Sequence, residues 1–312
     1  MIVKMPPKTL IGLSQVCIVT DDFERTVRNL AALFNLGPWK CWDYSPPKIF
    51  DTRRSGRPGA WTMKLGVAWA GGIQLEVIQP TGGTTIYQEH LETHGPGPQH
   101  LLVRTGPSYF EASRLLAAAR YPPVQSARIN PAMQIGPVSL PPLPGFLARG
   151  MALQFVYHDA RQGPGTVLEI AKMPPGISFE LGVRLGKADT TVPAGRNGVP
   201  VSGISRIGIL TGDIDRAIHS WETIGVGPWS AQPNSEARLS AARLGSVTIE
   251  LAQPAGGVLR SLFDTHGPGI GYLGMSGGSV PSFTGLGPEI LAENEAGTFI
   301  DARSQAHLVL VV

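Results

Sequence analysis

Residues 12–39 read GLSQVCIVTDDFERTVRNLAALFNLGPW, and residues 203–229 read GISRIGILTGDIDRAIHSWETIGVGPW. The same pairing continues downstream. LEVIQP (75–80) answers IELAQP (249–254), and HGPGPQH (94–100) answers HGPGIGY (266–272). A repeat that keeps its frame over such lengths implies duplicated structural units. The chemistry is not kept. Gln15 stands against Arg206, and His100 against Tyr272. Residues able to bind a metal in the first copy are absent from the second, so one half is expected to carry chemistry and the other to be scaffold.

Working outward, Leu13–Val19 is rich in β-branched residues and reads as a strand. A helix is expected to open at Asp21, which has capping-box spacing to Glu24. Phe23, Val27, Leu30 and Phe34 share one helical face, and Gly37 can end it. An irregular strand near 39–45 and two strands at about 60–70 and 73–79, turned by Gly71-Gly72, complete the order β-α-β-β-β. The order recurs with an apolar segment at 99–104, a helix at 109–119, and strands at 124–130, 151–158 and 166–171. Between them lies a Pro-rich stretch, 130–150, too long for a plain hairpin. Long loops in compact domains are often lids, and the alternative is an insertion without a role. Residues 173–202 show little periodicity and read as a linker. The order restarts at 203, and 276–289 offers no convincing helix. The expected fold class is α+β, with four tandem βαβββ modules in two pairs, the last degenerate. The expected units are 1–172, a linker 173–202, and 203–312.

With 312 residues and 42% hydrophobic content, the chain can bury a substantial core. Net charge is +3 and no long basic run appears, which argues against a nucleic-acid partner. Cys17 and Cys41 are too few for a disulfide scaffold, so a reduced, cytoplasmic setting is expected. MIVKMPPKTL lacks the apolar core of a signal peptide, and no stretch approaches a membrane span.

The ordered set of a first strand, an Asp-opened helix, GPW, QLEVIQP, HGPGPQHLLV and GTVLEIAK resembles the vicinal oxygen chelate superfamily, the glyoxalase/bleomycin-resistance/extradiol-dioxygenase fold. It covers about 10–172 and, more weakly, 203–312. Its closest flavour is that of methylmalonyl-CoA epimerase and glyoxalase I-like proteins. The resemblance implies that two modules form a cup around one divalent metal. It puts the ligands at Gln15, Glu76, His100 and Glu169. It also makes Glu169 the base for proton transfer, with Glu76 beside it; Gln15 departs from the histidine usual in epimerases. Two carboxylates, an imidazole and an amide oxygen suit Zn, Ni, Co, Mn or Mg. Such an ion can hold vicinal oxygens of a small-molecule substrate and stabilise an enolate, provided a carboxylate lies within reach of the proton.

Period-2 geometry agrees, since Glu76 shares a strand face with Gln74 and Ile78. Glu169 sits among Val167, Leu168 and Ile170, where an unpaired carboxylate would be costly. Loose candidates for a second base are Asp43, Tyr44 and Asp51. His94 and His266, each before Gly-Pro-Gly, read as turn or helix-end residues in both halves. Trp39 and Trp229 read as core anchors. His158 reads either as a core histidine or as a side chain reaching the cup mouth. In the second half, Arg206 can neutralise Glu250, and HLVLVV (307–312) reads as an apolar strand.

The leading expectation is a metal-dependent isomerase, epimerase or lyase. Its substrate would be a carbonyl compound such as a CoA ester or secondary metabolite. One alternative is an extradiol-type dioxygenase on Fe(II); another is a non-catalytic, resistance-type binder. The chain is expected to be a monomer or homodimer.

Overall fold

The computed structural model describes residues 9–295 and 297–312. Residues 1–8 of the amino-terminal stretch read for a leader lie outside them. The first module runs β1 (Leu10–Val19), α1 (Phe23–Phe34), β2 (Trp39–Tyr44), a hairpin of β3 (Ile49–Arg54) and β4 (Arg57–Pro58), β5 (Thr62–Ala70) and β6 (Ile73–Gly82). A short helix, α2 (Ile86–His94), leads to the second module. This runs β7 (Gly97–Thr105), α3 (Tyr109–Ala118), β8 (Pro123–Ile129), a hairpin of β9 (Met133–Ile135) and β10 (Val138–Leu140), α4 (Gly145–Met151), β11 (Leu153–Ala160) and β12 (Thr166–Lys172).

Sequence fixes the ends of these elements locally. Asp22, rather than Asp21, caps α1: its Oδ1 accepts from the Arg25 amide at 3.1 Å. Asn35, in the left-handed region at φ 50°, ends that helix before Gly37. Gly71 takes φ 63° in the tight turn between β5 and β6, a conformation that costs glycine little.

The modules join edge to edge into one sheet, with β1 antiparallel to β7 at the seam. On either side of that seam the order is β2-β5-β6-β1 and β7-β12-β11-β8. β3 follows β2 in the chain yet pairs with β8, at the opposite end of the sheet. The short connection 45–48 therefore draws the two ends of the sheet together and curls it into a cup.

Residues 173–202, expected to be a plain linker, carry α5 (Phe179–Leu185) and β13 (Thr190–Val192). β13 extends the sheet beside β2, with Thr190 opposite Cys41. Lys40 Nζ holds the end of α5 through the carbonyls of Val183, Arg184 and Gly186 at 3.0, 2.7 and 2.8 Å. A cation there also suits the helix dipole.

The second half repeats the plan with β14 (Gly203–Leu210), α6 (Ile214–Thr223), β15 (Ser230–Gln232), β16 (Ala237–Leu244), β17 (Val247–Pro254), α7 (Gly257–His266) and β18 (Gly269–Ser276). It closes with α8 (Val280–Thr284), β19 (Glu289–Asn294), β20 (Gly297–Ala302), α9 (Arg303–Ala306) and β21 (Leu308–Val311). Its sheet order, β15-β16-β17-β14-β18-β21-β20-β19, matches the first. The stretch 276–289, expected to lack a helix, holds the five-residue α8, so the last module is complete in order but shrunken. α1, α3 and α6 cover the outer faces of the two sheets. One core cluster there runs from Leu13, Val16 and Leu30 to Ile207, Trp221 and Phe283. Phe34 meets Phe283 edge-on across the two halves at 6.1 Å. Among the described residues, no helix is long and apolar enough to cross a membrane.

Candidate metal centre and substrate cup

A β-bulge at Ser14 splits the faces of β1. Val16 and Ile18 point to the helices; Cys17 and Val19 belong to the cluster inside the cup. Bulges beside functional sites commonly re-aim side chains. The two ladders of β1 then place Cys17 opposite Glu76 on β6 and opposite His100 on β7. On β12, Glu169 stands opposite Leu102 and Tyr157. Gln15, Glu76, His100 and Glu169 therefore converge, each at most 6% exposed.

The contacts are short. Gln15 Nε2 donates to Glu76 Oε1 at 3.1 Å. His100 Nε2 lies 3.2 Å from Glu76 Oε2 and 3.2 Å from Glu169 Oε2. Gln99 sets the orientation of the imidazole. Its amide nitrogen donates to the Ile86 carbonyl at 2.6 Å, so its oxygen accepts from His100 Nδ1 at 2.8 Å. Such outer partners fix the tautomer of ligating histidines. With Nδ1 as donor, Nε2 faces two carboxylates and has at most one proton to offer them. A divalent cation placed there would be met by all three donors, so the residues fit one.

Electrostatics carry the same message. Burial opposes charge on His100, but hydrogen bonds and fields from Glu169 and Glu76 outweigh it and hold its pKa at about 9. Burial lifts the Glu169 carboxyl to about 7, with His100 pulling the other way. Tyr87 donates to the Tyr157 hydroxyl at 2.7 Å, and Tyr157 stands opposite Glu169 in the β11–β12 ladder.

Several of these residues escape sequence reading. The Cys17 sulfur lies within 4.8 Å of ligand atoms on Glu76 and His100. Burial and then the charge of Glu76 push its thiol well above the usual range. Its position two residues after Gln15 was the available signal. Gln99 and Tyr157 gave only weaker ones, a neighbour in sequence and a place across the ladder. Gln15 itself presents its amide nitrogen to Glu76, which makes it an orienting donor in this arrangement.

Of the candidates for a second base, only Tyr44 lines the cup. Asp43 is exposed, and Asp51 pairs with Arg128 and Arg149 at 3.4 and 3.9 Å. His158 lies on the helix-facing side, held by Ser113 Oγ at 2.9 Å and the Tyr121 carbonyl at 2.7 Å, so it does not reach the mouth. His94 and His266 end α2 and α7, each followed by a glycine of positive φ. Trp39 is fully buried in the core; Trp229 packs partly buried against it.

Beside Glu76 and Glu169 the cup holds about 240 Å³ of open space. Trp42, Tyr44, Met63, Phe155 and Tyr157 form its wall. The stretch 130–150 covers it, contributing Met133, Leu140 and Leu143, while α5 contributes Phe179 and Val183. Asn130 ties the covering loop back on itself through both its amide atoms and Leu143, at 2.8 and 3.1 Å.

In the second half the corresponding space is filled. Tyr272, Phe299, Leu239, Val309 and Val311 pack in one cluster. The Tyr272 hydroxyl donates to Glu250, and Arg206 Nη1 lies 3.6 Å from the same carboxylate.

The profile of the Glyoxalase/Bleomycin resistance protein/Dioxygenase superfamily matches residues 14–134 and again 205–283. The chain belongs to this superfamily. Membership supports a metal-dependent enzyme of glyoxalase or dioxygenase type, acting on a small molecule. Among solved structures, a triple mutant of 4-hydroxymandelate synthase from Streptomyces coelicolor superposes with TM-score 0.58 at 14% identity, over 98% of this chain and 92% of that one. A xylose isomerase-like TIM barrel/4-hydroxyphenylpyruvate dioxygenase fusion protein gives 0.52 at 13% identity, over 91% of this chain and 40% of that one. Methylmalonyl-CoA epimerase from Mycobacterium tuberculosis gives 0.34 at 12% identity, over 55% and 93%. For the first two, at these identities, the likeness is one of fold. No curated protein matches the sequence.

Proposed function

We propose that this superfamily member is a metal-dependent isomerase, epimerase or lyase that moves a proton next to a carbonyl held in the first-half cup. The observation that carries this reading is Glu169. It is a buried carboxylate on the cup wall, 3.2 Å from His100 Nε2 and facing the cavity. A carboxylate facing the cavity is within reach of a proton on a bound molecule and can take it and return it. The proposed ligands are Glu76, His100 and Glu169, with Cys17 adjoining and Gln15 orienting Glu76.

When bound, a divalent cation supplies Lewis-acid polarisation of a carbonyl and holds a vicinal oxygen. The protein's own groups do the rest. Gln99 keeps His100 Nε2 aimed into the cup. Tyr157, itself held by Tyr87, stands opposite Glu169 in the ladder and walls its carboxylate on that side. The apolar wall and the covering loop keep water from the exchanging proton. Non-haem iron oxygenases typically offer two histidines and one carboxylate. Here His100 is the one histidine among the described residues in contact with the cluster, which favours proton transfer over ring cleavage.

The test is elemental analysis of purified protein followed by deuterium wash-in on hydroxyketone and oxo-ester substrates. Stoichiometric divalent metal, with exchange lost in His100→Ala, is the expected result. Exchange that proceeds at full rate without metal, or survives in His100→Ala, overturns the reading.

A further inference from the structure

Gln74 is fully buried on the cup wall, and neither atom of its side-chain amide has a hydrogen-bond partner in the protein. A buried amide left unpaired is costly, so one placed inside a cavity is suited to meet a ligand. It lies directly across from Gln15 in the β1–β6 ladder and two residues before Glu76 on the same face. One amide offers one donor group and one acceptor and no charge.

The rest of the lining has a consistent character. Among the described residues, the charged side chains of the lining are Glu76 and Glu169, it holds no lysine or arginine, and the imidazole of His100 behind it is taken up by those two carboxylates. Those two carboxylates already offset a divalent cation, so no positive surplus is left to hold an anionic substrate. Aromatic rings supply the walls, and Met63, Met133, Met151 and Met173 supply side chains that adapt to irregular apolar shapes.

We propose that the substrate is an uncharged, largely apolar molecule with adjacent oxygens at one end, and that Gln74 binds that polar end beside the metal ligands. This rests on the cup being the substrate site of the proposed enzyme. Gln74 supplies the hydrogen bonds that single out a neutral carbonyl or hydroxyl. The apolar body of the molecule fills the space under the 130–150 loop and α5. A carboxylate or phosphate at the polar end finds no counter-charge.

The test uses a matched pair, 1-hydroxy-2-octanone and 2-oxooctanoate, titrated against the metal-loaded protein. Tryptophan fluorescence reports binding through Trp42, which lines the cavity. The neutral hydroxyketone is expected to bind at least about tenfold tighter than the oxoacid. Gln74→Leu should lose about tenfold for the hydroxyketone, the worth of one well-made hydrogen bond, at unchanged metal content and melting temperature. Leu65→Arg, which puts a cation on the wall, should shift preference towards the oxoacid. Equal or tighter binding of the oxoacid by the unsubstituted protein overturns the neutral class. Unchanged affinity in Gln74→Leu overturns the role of Gln74. If the purified protein takes up no metal, the enzyme reading falls instead, and the hydroxyketone affinity of Gln74→Leu against that of the unsubstituted protein still decides the role of Gln74.

Discussion

The two halves build the same curled sheet and put opposite contents into it. In the first, Cys17, Glu76 and His100 meet on three adjacent strands. In the second, Gly208 takes the place of Cys17, Glu250 that of Glu76, and Tyr272 that of His100. Val311 takes the place of Glu169, since Gly274 stands to Val311 as Leu102 does to Glu169. These differences depend on one another. A Cβ at position 208 would run into the Tyr272 ring, so the tyrosine needs the glycine. Phe299 packs edge-on against that ring at 5.2 Å. The surviving Glu250 is satisfied by Tyr272 and by Arg206. The frame thus tolerates either an open cup lined by buried polar groups or a packed core. Which one it holds depends on whether the buried carboxylates face an imidazole or a phenol.

The sharpest way to break this contrast is to neutralise one carboxylate in each half. Glu169→Gln is expected to lower turnover by roughly 10²–10⁴-fold, the usual worth of a general base. Glu250→Gln is expected to leave turnover unchanged while lowering the melting temperature. Steady-state rates on the same substrate compare the two, and equal losses would end the distinction between working and filled cups. Next in size is Gln99→Leu, which removes the partner of His100 Nδ1. It should weaken metal affinity by about 10–100-fold, read by competition with a chelating dye. The second half has no counterpart to lose.

A third experiment tests the filling. Gly208→Ala should destabilise the protein by about 1–3 kcal/mol through overpacking, measured by denaturant unfolding. Adding Tyr272→Ala should make room for the introduced methyl group, so the two changes are expected to be strongly non-additive. Additive losses would show that ring and glycine are independent.

The last prediction concerns pH. The folded pKa values of Glu169 and His100 are raised, to about 7 and about 9, above ordinary values of about 4.3 and 6.5. A raised folded pKa gives stability that is complete below the unfolded value and lost as pH rises through the folded one. Metal-free protein should therefore lose stability as pH rises towards 9, and metal loading should flatten that slope because the ion replaces the shared proton. His90 acts at the other end. Burial, helped by His94 and His100, lowers its pKa to about 3, so stability also falls as pH drops below about 6.5. Thermal melts across pH 3–9, with and without divalent ion, check both limbs.

Local reading reached the elements that local chemistry specifies. β1, α1 and the Gly71 turn follow from β-branched runs, a capping aspartate and a glycine of positive φ. The cap was misplaced by one residue because Asp21 and Asp22 are chemically equivalent, and only the fold chooses the one whose carboxylate meets the Arg25 amide. The stretch 173–202 read as a linker because α5 is short and its stability comes from contacts, including Lys40 at its end. Glu76 and His100 were legible through the repeat, where a kept residue and a replaced one could be set side by side. Tyr157 and Gln74 were not, because their roles depend on neighbours distant in the chain.

By itself the sequence determined the duplicated βαβββ frame and the half in which polar residues had survived. A repeat aligned against itself separates what the fold needs from what chemistry needs. Only the tertiary structure decided that Cys17 joins Glu76 and His100, that the second cup is closed by Tyr272, and that the first has an uncharged, apolar wall. Those facts arise where strands far apart in the chain become hydrogen-bonded neighbours, and where buried charge must be answered by whatever side chain the opposite strand presents.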